Sequence, residues 1–222
     1  MRAPVQRLKK DEIVWLGTHK CKHSHTFLEH YSCFLDENPS KSKVGFLDIE
    51  ASNLKANFGI ILCYCIKVAG EDKIYESCIT KEEATLASFP DKRLVQQLIK
   101  DMEQFDLVYG FYSTKFDLPF IRTRAISNGL DFPLFGSIKH KDVYYIVKNK
   151  FSLHSNRLEV ACNELVGSSD KTHFDGNIWR TAVQGRKESL SYILEHCRAD
   201  VCDLEKLTNK VLDYAYPQVK SI

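Results

Sequence analysis

The sequence predicts an α/β domain with a mixed five-stranded sheet flanked by helices. Two observations point there. Three neighbouring strand patterns with short connections come first, which favours an antiparallel meander. Helix, strand, helix, strand and further helices then follow in order, as parallel additions to one sheet require.

Val44–Ile49 is a short apolar run punctuated by Gly45 and Asp48, the pattern of a buried strand that ends in polar chemistry. Phe58–Val68, rich in Ile, Cys and Tyr, predicts the second strand, and the alternating stretch Lys73–Thr80 the third. Asp91–Glu103 carries Leu94, Val95, Leu98, Ile99 and Met102 at helical spacing, with Asp91 expected as the N-cap. Asp106–Phe111 predicts a fourth strand. Phe116–Asn128 predicts a helix entered through Leu118-Pro119 and closed by Asn128-Gly129. A fifth strand is expected near Ser137–Lys141, leading into Asp142–Lys150, with helices over Asn156–Val166 and Glu188–Leu212. Residues 1–43 differ in character, being polar and rich in Lys and His. They are expected to form an N-terminal Cys/His-rich extension to a domain over residues 44–222.

At 222 residues the chain can bury a core without staples. A net charge of +2 neither demands nor excludes a polyanionic partner, so local clusters must carry that argument. The basic stretch from Met1 to Lys10 has no apolar run behind it. No segment is long and apolar enough to predict a membrane span. A cytoplasmic protein is therefore expected, with its eight cysteines as thiols or metal ligands rather than a disulfide framework.

Three acidic elements carry the chemistry. Asp48 and Glu50, two apart in a strand, project from one face. Like charges there repel and resist burial, and a divalent cation is the common compensation. A solvated strand end is the plain alternative. Asp117 follows a strand that ends at Gly110 and stands at the head of a helix, where an acid also serves as a cap. His196 and Asp200, four apart in a helix, share one face, as a stabilising surface pair also would.

Taken together, Asp48-Ile49-Glu50, the segment Ser113–Phe120 with Ile121-Arg122-Thr123-Arg124, and Asp200 on a late helix resemble the DEDD exonuclease superfamily of the ribonuclease H-like fold. The likeness is to predicted ribonuclease H-like nucleases and family B DNA polymerase proofreading domains. It spans about residues 44–210 and includes Ile138–Tyr144 and Lys150–Leu153 between the second and third motifs. The resemblance implies a ribonuclease H-like sheet and a nucleic-acid substrate, DNA or RNA. It also implies two Mg²⁺ or Mn²⁺ ions about 3.5–4 Å apart, held by Asp48, Glu50, Asp117 and Asp200. The implied activity is phosphodiester hydrolysis, expected as 3′–5′ exonuclease action. An inactive binding or interaction module and a structure-selective endonuclease are the alternatives.

The third motif departs from the family. Its Tyr subclass carries tyrosine four residues before the last Asp, where this chain has His196, and Tyr192 lies a further turn back. Imidazole ionises near pH 6.5 against about 10 for a phenol, so His196 is expected to orient or deprotonate water. The same change would also fit a slowed site.

Arg122, Arg124, Lys139, Lys141, Lys148 and Lys150 are candidate phosphate contacts, and Phe111, Tyr112 and Phe116 candidate stacking faces. A separate cluster, Cys21, His23, His25, His30 and Cys33, supplies five potential zinc ligands, four of which could close a structural tetrahedral site. Its spacing fits no standard finger, and packing or surface histidines are the alternative.

Overall fold

The computed structural model describes residue 3 and residues 5–134, 137–170 and 175–215. Met1, Arg2 and Pro4 of the basic N-terminal stretch, and residues 216–222 of the expected domain, lie outside the described residues. The chain runs α1 (Lys10–Thr18), α2 (Tyr31–Glu37), β1 (Val44–Ala51), β2 (Ile61–Val68), β3 (Ile74–Cys78), α3 (Lys81–Leu86), α4 (Lys92–Met102) and β4 (Leu107–Gly110). It continues through α5 (Asp117–Ser127), β5 (Lys139–Asp142), α6 (Val143–Lys150), α7 (Leu158–Leu165), α8 (Gly176–Ala182) and α9 (Lys187–Val211).

The sheet has the order β3-β2-β1-β4-β5, antiparallel across β1–β3 and parallel from β1 through β4 to β5. This is the mixed five-stranded sheet the sequence predicts. Among the described residues no helix is long and apolar enough to cross a membrane.

β2 is buried along nearly its whole length because both faces are covered. Its odd-numbered residues meet α9, where Cys63 and Cys65 approach Cys197. Its even-numbered residues meet α4, where the Tyr64 hydroxyl donates to Asp101. β1 shares this alternation: Asp48 pairs with Cys65 and Glu50 with Cys63, so both acids lie on the α9 face. Gly45 faces the other way, where any side chain would lie 2.8 Å from the Phe105 ring.

Asp91 corrects an expectation. It precedes α4 but makes no capping bond. Fully buried, it accepts from the Ile61 amide (3.0 Å), the Asn128 amide group (3.0 Å) and both arms of Arg124 (2.8 Å each). A buried carboxylate held by this many donors joins β2 to α5.

The first forty residues form α1 and α2, and their apolar side chains gather into a cluster of their own around Leu16, Cys21, Phe27, Tyr31, Cys33 and Leu35. They meet the sheet through Arg7, paired with buried Asp106 at 2.7 Å, and through Asp36, paired with Lys139 at 2.9 Å.

Candidate active site

β1 carries Asp48 and Glu50 to its C-terminal end, where a bulge between Glu50 and Ala51 breaks the register. α9 crosses this end on the face the acids occupy. The Cys197 thiol donates to the Asp48 carbonyl at 3.4 Å, fixing helix to strand. His196 and Asp200 are both buried.

The result is a compact group of Glu50, His196 and Asp200, whose ligand atoms all lie within 4.8 Å of one another. His196 Nε2 stands 3.8 Å from Glu50 Oε1 and 4.0 Å from Asp200 Oδ2. Both spacings exceed a hydrogen bond. They suit three groups arranged around a shared ion or water. The imidazole packs edge-to-face on Trp179 of α8, with centroids 5.3 Å apart and an interplanar angle of 89°. Neither α8 nor Trp179 was expected from the sequence.

Asp48 and Asp117 flank this compact group and are not members of it. Asp48 shares the Glu50 face of β1. Asp117 opens α5 and is buried, its Oδ1 accepting from the Ile49 amide between the two β1 acids at 3.2 Å. The loop that delivers it is tightly determined. A side chain at Gly110 would fall 2.2 Å from Ser113 Oγ, which instead bonds His140 Nε2 at 2.8 Å. Tyr112 adopts a left-handed φ of 61°, a strained backbone that needs outside support. Asp142 supplies that support, accepting from the amides of Tyr112 (2.8 Å) and Thr114 (2.9 Å). Asp142 is thus a positioning residue that the sequence did not flag.

Burial pushes the Asp117 carboxyl up to about 7, with the charges of Asp142 and Asp200 adding to the rise and the Ile49 and Asp117 amides opposing it. The unfolded chain ionises near the ordinary value of 3.8. Between these values the folded chain keeps a proton that the unfolded chain has lost. The stabilisation is therefore complete below about pH 4 and disappears as pH rises through about 7. In metal-free protein, urea unfolding at stepped pH should show a decline of a few kcal/mol over that window. Asp117→Asn should flatten it. An unchanged slope would contradict the assignment.

Several proposed substrate contacts are already engaged. Arg124 holds buried Asp91 and is not a free phosphate ligand, whereas Lys139 pairs with exposed Asp36, a surface contact it can give up. Arg122 lies over the Phe132 ring (5.2 Å) and Lys148 over Tyr144 (5.8 Å), both still able to turn to solvent. Phe111 and Phe116 are half-buried, whereas Tyr112 is 45% exposed beside Tyr144. The β1–β2 loop adds Phe58, 78% exposed, a candidate face that the sequence had placed inside a strand.

An acid-bearing β1 at the centre of a 3-2-1-4-5 sheet, crossed by a late helix, defines a ribonuclease H-like nuclease fold. The chain belongs to the RNase_H superfamily, which it matches over residues 45–212. The family B DNA polymerase from the hyperthermophilic archaeon Pyrobaculum calidifontis is similar in structure, with a TM-score of 0.62 and 14% identity. The match covers 77% of this chain and 24% of the polymerase. At that identity the likeness is one of fold. No curated protein matches the sequence.

Proposed function

We propose that this chain is a divalent-metal-dependent nuclease that removes nucleotides from the 3′ end of DNA or RNA. The convergence of Glu50, His196 and Asp200 carries the reading, with Asp48 and Asp117 beside them. Hard carboxylate oxygens suit Mg²⁺ or Mn²⁺, and Asp117, its carboxyl pushed up to about 7 chiefly by burial, is perturbed as groups at functional sites often are. Asp48, Glu50, Asp117 and Asp200 are the residues that would hold the ions. Bound there, the ions would supply an activated water and neutralise charge on the leaving oxygen.

The rest falls to side chains. His196 accepts the proton of the attacking water, and Trp179 packs against its ring. Water oxygen forms the new bond to phosphorus, the bond to the 3′ oxygen breaks, that oxygen takes a proton from solvent, and the proton held by His196 passes to solvent to reset the site. Tyr112 and Phe58 offer stacking faces to the strand, a contact that tolerates any base.

End-labelled single strands incubated with Mg²⁺ test the reading. Stepwise release of mononucleotides from the 3′ end, with closed circles left intact, is expected. Cleavage of circles would favour the endonuclease alternative, and binding with no cleavage under Mg²⁺ or Mn²⁺ the inactive module.

A further inference from the structure

We propose that Cys21, His23, His30 and Cys33 form a structural zinc site that holds the N-terminal segment together. Two ligands come from a tight turn: the Ser24 amide donates to the Cys21 carbonyl, the Cys21 amide donates to the His25 carbonyl, and Ser24 takes a left-handed φ of 66°. The other two come from the start of α2. His30 immediately precedes that helix and Cys33 lies in its first turn. A turn and a helix start thereby present two pairs of ligands to one point, all within 4.8 Å of each other.

The spacings fit zinc. Each sulfur contacts both imidazole Nδ1 atoms, at 3.8 and 3.4 Å from Cys21 and at 3.4 and 3.6 Å from Cys33. Ordinary Zn–S and Zn–N bond lengths give a tetrahedral S···N edge of about 3.5 Å. Hydrogen bonds alone account for the arrangement poorly. Two thiols hold two protons, enough for half of the four contacts, and a protonated Nδ1 would have to share one hydrogen between two weak sulfur acceptors. A central cation serves all four at once, and two thiolates with two neutral imidazoles balance its charge.

His25, the fifth candidate from the sequence, stands outside this set. Its ring packs edge-on against His30 with centroids 5.4 Å apart. The need for a staple is visible in the packing. Among the described residues, six buried side chains form the core of the N-terminal cluster, and units below about 40 residues seldom hold together without a metal or disulfide. Two of those six are Cys21 and Cys33 themselves.

Elemental analysis of the full chain, purified without a histidine tag, should find one zinc per chain. Cobalt replacing it should give the intense visible bands of a tetrahedral ion together with thiolate charge transfer. The double variant Cys21→Ser with Cys33→Ser should lose the zinc, while His25→Ala and Asp48→Ala should keep it. The Asp48→Ala result separates this site from the acidic one. Absence of zinc, an octahedral cobalt spectrum of the unaltered chain, a Cys21–Cys33 disulfide, or zinc retained in the double variant would each overturn the proposal. The cobalt spectrum decides the matter even if the double variant does not fold.

Discussion

Asp48→Ala and Glu50→Ala should each reduce Mg²⁺-dependent cleavage by at least about 100-fold, the upper end of what losing even an outer partner of a metal ligand costs. The two acids share one face of β1, at a strand end where the register breaks and the chain leaves the sheet. Truncating either leaves the β1 backbone and its pairing intact, so thermal unfolding of metal-free protein should change little. His196→Ala should lower turnover by roughly 10²-fold or more while metal binding persists, because the role proposed for it is proton acceptance. Initial rates on a labelled strand, alongside titration calorimetry with Mn²⁺, check both statements. Cleavage by Asp48→Ala within a few-fold of the unaltered chain would contradict them.

The largest effect on stability is expected far from this chemistry. Arg124→Ala should destabilise the protein by about 3–5 kcal/mol, because it strands the charge of Asp91 in the interior. Asp91 is fully buried, and Arg124 grips both of its oxygens. The Ile61 and Asn128 amides cannot replace a neutralising cation. Such a loss is a large part of the roughly 5–15 kcal/mol that keeps a domain folded. Arg122→Ala, at an exposed position on the same helix, should change stability by no more than about 0.5 kcal/mol. Urea midpoints of the two variants make the comparison. Normal stability in Arg124→Ala with weakened, salt-sensitive nucleic-acid binding would show instead that Arg124 reads phosphate.

That contrast shows where the sequence was legible. Apolar patterning located β1 to β4, α4, α7 and α9, because burial of one face writes itself into residue spacing, whereas α5 was read from its Leu118-Pro119 entry and Asn128-Gly129 close, and β5, Lys139–Asp142, carries no apolar residue. Of the candidate site, Glu50, His196 and Asp200, which the fold brings together, and Asp48 and Asp117 beside them were picked out by chain order and motif form. Asp91 was not, since an acid before a helix looks the same whether it caps the helix or holds a distant arginine. Asp142 and Trp179 were invisible for a related reason. Their roles are contacts across the fold, with loop amides 28 and 30 residues away in one case and with His196 in the other. α1 was missed because only Leu16 of its nine residues is buried while Val14 and Trp15 stay exposed, so it lacks a clear apolar stripe. The zinc candidates were visible as residue types, but only folding the turn onto α2 separates four ligands from His25.

We propose the acids gathered at the end of β1 as a divalent-metal site. Crystals soaked in Mn²⁺ and measured at the manganese absorption edge test it most directly. The expected result is anomalous density among Asp48, Glu50, Asp117 and Asp200, lost in Asp48→Ala. Crystals saturated with Mn²⁺ that show density elsewhere and none at this cluster would contradict it.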